Sequence, residues 1–265
     1  INDHTAFKVF WLALYALVLM NVAAFRLVRP LALYVRHRFT VDRLVPESDD
    51  VISVYIRGRN LAAFRACAGQ FVIVRFLAKG FRWEAHPFSL SLPPDGKVLR
   101  LSIKKLGDFT KRIPQLLPGT PVIIDGAHGV FTAAGSPAGR VLLIAGGIGI
   151  TPIRSLAEAF SRAGRDTLLL YGNRNVQGTV YRDELESLVH KSDGRLRVIH
   201  VLSNQPDWTG EKGYIDRDCL SRLVPDLSDR DVFLCGPPVM MDGVLRALSA
   251  LGVKPSRIHH ERFAL

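Results

Sequence analysis

The chain changes its hydrophobic period twice. From Val9 to Phe25 every residue is apolar except Asn21; Trp11 and Tyr15 lie near the start of the run, and Arg26, Arg29, Arg36 and Arg38 follow its end. About 20 helical residues span the hydrocarbon core of a bilayer, so Ala6 to Leu27 is long enough once Lys8 snorkels to the interface. A transmembrane helix is the expectation, with a signal-peptide core and a buried globular helix as the rivals. Beyond Phe39 the period falls to that of short strands. Phe39–Val45, Val51–Arg57, Gln70–Leu77, Phe88–Leu92 and Val98–Lys104 are separated by Gly, Pro, Asp and Asn turns, which predicts a small antiparallel β-barrel. One helical piece, Phe109 to Leu117, interrupts it. From Arg140 strands at Val141–Ala145, Thr167–Tyr171, Leu196–Leu202 and Val232–Cys235 alternate with helices near Pro152–Ala163, Arg182–His190, Asp216–Leu223 and Val239–Leu251. Such βαβ units predict a parallel sheet covered by helices on both faces.

The stretch from Arg140 to Phe160, R-V-L-L-I-A-G-G-I-G-I-T-P-I-R-S-L-A-E-A-F, organises the second half. An apolar strand runs into Gly146, Gly147 and Gly149, and Thr151-Pro152 then open an apolar-periodic helix. A first-turn proline loses no hydrogen bond there, and the free N–H groups at the helix start suit a pyrophosphate. The spacing differs from G-x-G-x-x-G, and many αβ proteins carry glycine-rich turns that bind nothing. Ligands on open parallel sheets bind at the carboxyl ends of the strands, where Gly146 and Gly236 both fall.

Composition narrows the class. Of 265 residues 48% are hydrophobic and 22% charged, which is a folded protein. The net charge of +11 is spread through turns and helices with no basic run, so nucleic acid is not the expected partner. The basic residues that follow the apolar run mark that side as cytoplasmic, which makes a membrane the expected location, with the C-terminal body in the cytoplasm. Cys67, Cys219 and Cys235 are odd in number and far apart; neither a disulfide framework nor a metal or iron-sulfur site follows, and a reducing compartment does. The lone His4 reads as an interfacial side chain. The chain opens without methionine, as a fragment or processed chain would.

Four stretches occur in a telling order: H-P-F-S at His86 to Ser89, G-D-F-T at Gly107 to Thr110, G-G-I-G-I-T-P at Gly146 to Pro152 and C-G-P-P at Cys235 to Pro238, with H-E-R-F at His260 to Phe263 near the end. From about Phe39 onward the chain resembles the ferredoxin-NADP reductase superfamily. H-P-F-S in place of the R-x-Y-S of soluble members, together with the preceding helix, resembles the flavin dehydrogenase domain of NADPH oxidases and ferric reductases. In that subgroup the flavin domain follows the last helix of a haem-carrying membrane domain. The expected division is 1–36, transmembrane helix and juxtamembrane segment; 37–135, an FAD-binding barrel; and 136–265, an NAD(P)H-binding α/β domain.

The resemblance implies FAD and NADPH as cofactors, with NADH an alternative, and a haem on an upstream or partner membrane domain. It places His86, Pro87, Phe88 and Ser89 at the flavin ring, the Ser89 hydroxyl toward the nitrogen that receives hydride; Phe88 as core and His86 as a surface group is the bland alternative. Gly107, Asp108, Phe109 and Thr110 would hold the flavin pyrophosphate, with Lys104 or Lys105 adding charge. Asp125 to Phe131, D-G-A-H-G-V-F, resembles the family's G-P-Y-G turn but carries Ala127 and His128 in the middle. Gly146, Gly147, Gly149, Thr151 and Pro152 would hold the nicotinamide dinucleotide. Arg174, with Lys212 and Arg182 as second candidates, would take the 2′-phosphate. Cys235, Gly236 and Pro237 would face the nicotinamide, and Phe263 would shield the flavin, here with Ala264 and Leu265 beyond it. Ser89, Cys235 and Phe263 are the expected catalytic set.

Three functions compete at this point. The first is an enzyme in which NADPH gives hydride to FAD and single electrons pass to a membrane haem, for reduction of ferric iron or dioxygen. The second is a membrane-anchored NAD(P)H-flavin reductase serving a soluble iron-sulfur or haem partner. The third is a nucleotide-sensing or scaffold module without redox chemistry, against which intact Ser89, Cys235 and Phe263 argue.

Overall fold

The computed structural model describes residues 3–136 and 138–263. Helix α1 (Asp3–Ala23), a π-helical segment (Ala24–Val28) and α2 (Arg29–His37) form one continuous rod. Residues His4–His37 are long and apolar enough to cross a membrane, and none of their apolar window is buried. At 1.5 Å per residue those 34 residues reach about 50 Å. Only the last turns touch the body: Pro30 and His37 are buried, and Leu33 packs on the barrel core. The His37 ring stacks on Phe39 at 5.2 Å and its Nδ1 lies 2.9 Å from the Arg59 carbonyl. The rod stops at Arg38, in the left-handed region at φ 48°, and the first strand starts two residues later.

That strand, β1 (Thr40–Pro46), pairs antiparallel with β2 (Val51–Arg57), and β2 pairs with β5 (Leu99–Lys104). A second sheet has β3 (Phe71–Phe76) between β4 (His86–Ser89) and β6 (Val122–His128). Bridges Thr40↔Pro121 and Leu90↔Leu101 join the two sheets into a six-stranded barrel. Its interior takes the inward half of each strand, Val72, Val74 and Phe76 from β3 and Ile124 and Val122 from β6 among them. The sequence pattern found five strands and missed β6, because Asp125-Gly126-Ala127-His128 reads as a turn; β3 supplies its pairing partners, from Phe71↔His128 to Phe76↔Val122. Strand β4 starts earlier than the pattern suggested, since an edge strand tolerates Pro87. The expected helix 109–117 is α3 (Asp108–Arg112) followed by a 3-10 turn (Ile113–Gln115), because Pro114 has no N–H with which to continue it.

The parallel sheet runs β10-β9-β8-β7-β11-β12: β7 (Arg140–Gly146), β8 (Asp166–Asn173), β9 (Leu196–Leu202), β10 (Glu211–Lys212), β11 (Asp231–Gly236) and β12 (Ile258–Arg262). Helices α4 (Ile150–Arg162) and α5 (Arg182–His190) bury one face of it, and α6 (Arg217–Leu223) and α7 (Pro238–Ala250) bury the other. Periodicity missed the edge strands, since β10 has two residues and β12 reads I-H-H-E-R. The strand order reverses between β7 and β11, so their carboxyl ends flank a crevice.

Candidate active site at the junction of barrel and sheet

On the barrel side, one row of residues crosses three strands: Ser89 pairs with Phe71, and Phe71 with His128. Ser89 is buried and its hydroxyl has no hydrogen-bond partner among the described residues, an arrangement that costs free energy unless a ligand completes it. The His86 ring lies 4.0 Å from the ring of Phe109, and its Nε2 is 3.5 Å from Glu84 without a well-aligned hydrogen bond. Phe109 itself belongs to the barrel core, so it backs His86 and is not open to a ligand. Phe88 is half-buried against that core, while Pro87 is exposed.

The Gly107 turn is closed by the Thr110 hydroxyl. Thr110 Oγ1 accepts from Leu106 N at 2.9 Å and Gly107 N at 3.0 Å, and donates to Gly107 O at 3.1 Å. Thr110 thus shapes the turn and occupies the Gly107 N–H, leaving the exposed main chain at Asp108, at the start of α3, for a phosphate. Lys104 is drawn to Asp50, 3.1 Å away, in a solvent-accessible pair that a stronger anion can replace.

On the sheet side the three glycines do different work. A Cβ at Gly146 would strike Met240 Sδ, and one at Gly149 would strike the Cys235 carbonyl oxygen, so these two allow β7, β11 and α7 to close up. Gly147 has φ +51°, and nothing lies within 4 Å of the position its Cβ would take. That open position lies just before α4, where the positive end of the helix favours a phosphate, although the Ile150 N–H is already taken by the Gly147 and Ile148 carbonyls and Pro152 has none to give. Thr151 donates to the Ile148 carbonyl at 3.0 Å, pinning the turn, and Pro152 is buried in the first turn of a helix that starts at Ile150.

Cys235, one residue before the end of β11, is in register with Ala145 on one side and Glu261 on the other. Burial pushes its thiol well up, and the Glu261 carboxylate adds to the effect, so the thiol stays protonated. Burial also raises Glu261, to about 6, and its Oε2 is buried without a partner. Gly236 approaches the backbone of Gly146, a Cβ there standing 3.2 Å from Gly146 Cα. Pro237 follows, exposed, at the start of α7. Phe263 comes directly after β12 and packs, half-buried, on the apolar cluster that contains Cys235. Ala264 and Leu265 lie outside the described residues.

Arg174 is exposed at the carboxyl end of β8, and its side chain has no ion pair or hydrogen bond among the described residues. The second candidates are engaged: Lys212 Nζ donates to the Pro206 carbonyl at 2.8 Å, and Arg182 lies 3.5 Å from Glu186. Nearby, Asn173 Nδ2, His200 Nδ1 and Trp208 Nε1 are buried without partners. Burial, helped by Arg182, lowers the His200 pKa and favours a neutral ring. Among the described residues no cluster suits a metal ion.

Residues 34–122 match the FAD-binding domain family, and residues 143–246 match the oxidoreductase NAD-binding domain family. Ferredoxin-NADP reductase B of Sorangium cellulosum is 35% identical over 215 residues, which cover 76% of this chain and 86% of the relative. The chain belongs to the ferredoxin-NADP reductase superfamily. The glycine betaine monooxygenase reductase subunit of Pseudomonas aeruginosa is 34% identical over 237 residues, 86% of this chain. This chain spans 64% of that relative's length. The crystal structure of Amycolatopsis cytochrome P450 reductase GcoB superposes with a TM-score of 0.74 at 24% identity, over 86% of this chain and 69% of that one. The superfamily's two cofactors, FAD and NAD(P)H, suit the residues present: an orphan hydroxyl at Ser89, an exposed glycine turn at Gly107, and an open cradle at Gly147. Sequence reasoning left two residues out of the site. Glu261 was visible in H-E-R-F, but its burial beside Cys235 depends on β12 joining the sheet, and His128 enters the Ser89 row only through the unrecognised β6.

Proposed function

We propose that the protein is a membrane-anchored NAD(P)H:FAD oxidoreductase that delivers single electrons to a haem in a transmembrane domain, for reduction of ferric iron or dioxygen. The supporting observation is the exposed apolar rod, which runs without a break into α2 and is seated on the barrel through Pro30, Leu33 and His37. A rod so seated would hold the flavin domain close to the membrane, and the arginines that follow it favour a cytoplasmic body.

FAD, when bound, accepts two electrons as hydride and releases them one at a time. The chain's own residues bind, orient and shield. Ser89 supplies a hydroxyl at the barrel end of the crevice, His86 and Phe88 supply ring surface, and the start of α3 at Asp108 supplies exposed main chain. The Gly147 cradle and α4 hold the nicotinamide dinucleotide, with the uncharged Cys235 thiol and Phe263 lining the crevice opposite. NADPH is the preferred donor in this reading, because Arg174 is unpaired and the segment Gly172 to Gly178 contains no acidic residue to hold a 2′-hydroxyl.

A second reading, a reductase serving a soluble iron-sulfur or haem partner, is favoured by the names of the relatives, one a monooxygenase reductase subunit and one a ferredoxin-NADP reductase. Vesicles that carry the protein with its native membrane partners separate the two. Reduction of membrane-bound haem by NADPH, lost on removal of residues 1–28, supports the first. Full transfer to a soluble acceptor after that removal, with no membrane haem reduced beforehand, supports the second.

A further inference from the structure

The barrel and the sheet meet along two seams. One is apolar, where Val51, Ala68 and Phe131 pack with residues of α4 and with Tyr181. The other is ionic, two buried arginines sharing a partly exposed carboxylate. Arg100 on β5 is 3% exposed and grips Glu184 with both ends of its fork, Nη1 to Oε2 at 2.8 Å and Nη2 to Oε1 at 3.3 Å. Arg154 on α4, equally buried, pairs with the same carboxylate and with Glu158 one turn on. Glu184, in the first turn of α5, is therefore shared by a barrel arginine and a sheet-domain arginine.

The two arginines converge a second time. Arg100 Nη2 donates to the Ser91 carbonyl at 3.1 Å and Arg154 Nη1 to the same oxygen at 3.4 Å. Ser91 lies two residues beyond Ser89, the orphan hydroxyl, and Arg154 lies one turn beyond Ile150, where α4 leaves the glycine cradle. One carboxylate thus governs the link between the strand that faces the flavin and the turn that holds the dinucleotide. The chain tolerates strain to build it: Tyr181, the residue before α5, sits at φ 64°, unusual for an aromatic residue, with the Arg100 guanidinium 4.4 Å from its ring centre. Ion pairs add little net stability whether exposed or taken out of water, so a partly exposed carboxylate shared at this place is better explained by geometry than by stability.

We propose that Glu184 is a positioning residue that, through Arg100 and Arg154, sets the spacing between Ser89 and the Gly147 cradle and with it the alignment for hydride transfer from NAD(P)H to FAD. The inference rests on that transfer and not on the acceptor that follows.

The test is Glu184→Gln in the full FAD-loaded chain, mixed anaerobically with NADPH or NADH. A misplacement of the order of 1 Å costs about ten- to a hundredfold in rate, so the limiting rate of flavin bleaching should fall by about that factor, with FAD content unchanged and the apparent cofactor Kd within about threefold. Glu184→Asp keeps the charge but shortens the reach, and should recover part of the rate. Hydrogen exchange reads the link without turnover: amides of residues 89–91 and 148–151 should exchange faster in Glu184→Gln. Unchanged rate with unchanged exchange overturns the proposal, as does a rate loss that follows FAD loss while Glu184→Asp runs at the wild-type rate. Should Glu184→Gln not fold, Glu184→Asp decides alone: a slower rate at full FAD content supports the proposal and a wild-type rate overturns it. If neither nicotinamide reduces the wild-type flavin, the oxidoreductase reading fails, and the exchange measurement still decides the link.

Discussion

Cys235 and Glu261 stand opposite each other in the parallel pair β11–β12, the thiol fully buried and the carboxyl partly so, and the Glu261 carboxylate adds to the cost of charge on the thiol. The carboxyl has the lower pKa of the two, about 6 against an ordinary 4.5. The fold therefore binds that proton more tightly than the unfolded chain does. Its contribution to stability is complete below about pH 4.5 and is lost as the pH rises through 6.

Glu261→Gln should remove this dependence. At pH 7.5 the variant is expected to be more stable than wild type by about 1 kcal/mol, the value of a shift of this size after allowance for partial exposure, and the difference should vanish near pH 4.5. Thermal melts of both proteins across that range check it. Parallel curves would mean that Glu261 is solvated in the fold.

The two outer glycines and the central one should fail differently. Gly149→Ala drives a methyl into the Cys235 carbonyl and should destabilise the whole sheet domain by about 1–3 kcal/mol. Gly147→Ala has room for its methyl but a left-handed backbone, so a smaller loss of about 1 kcal/mol is expected, together with a raised KM for the nicotinamide and unchanged FAD content. Melting curves and steady-state kinetics on the two variants distinguish packing from cradle; equal KM effects would contradict the division.

Much of this was legible beforehand, and the exceptions have one cause. Strands such as Val51–Arg57 and Leu196–Leu202 coincide with their apolar runs because both are bordered by turn residues and packed on a core. Strands β6 and β12 hid because their polar residues are held by neighbours far away in sequence, Phe71 for His128 and Cys235 for Glu261. The same long-range pairing explains why the glycine turn was readable as a site while the Arg100–Glu184–Arg154 link was not: no local pattern joins residues 84 positions apart.

Arg174 is expected to carry the preference between nicotinamides. A charge-assisted contact to the 2′-phosphate is worth about 1.5–3 kcal/mol, so Arg174→Ala should lower kcat/KM for NADPH by about ten- to a hundredfold and leave NADH within about twofold. Equal losses for both cofactors would place the 2′-phosphate elsewhere.

Thiol chemistry offers a check on the crevice that needs no cofactor. Cys67 is exposed, whereas burial raises the pKa of both Cys219 and Cys235. Iodoacetamide under native conditions at pH 8 should label Cys67 alone, read by peptide mass spectrometry. Rapid labelling of Cys235 would show an open, charged crevice.

The central claim is that hydride crosses from NAD(P)H to a flavin held against Ser89. Anaerobic rapid mixing of the FAD-loaded protein with NADPH, followed by flavin absorbance, tests it most directly when wild type and Ser89→Ala are compared. Wild type should bleach, and Ser89→Ala, with full flavin content, should bleach about two- to tenfold more slowly, the effect of losing one neutral hydrogen bond of about 0.5–1.5 kcal/mol. A flavin that neither NADPH nor NADH bleaches, or a Ser89→Ala protein as fast as wild type, would contradict the account.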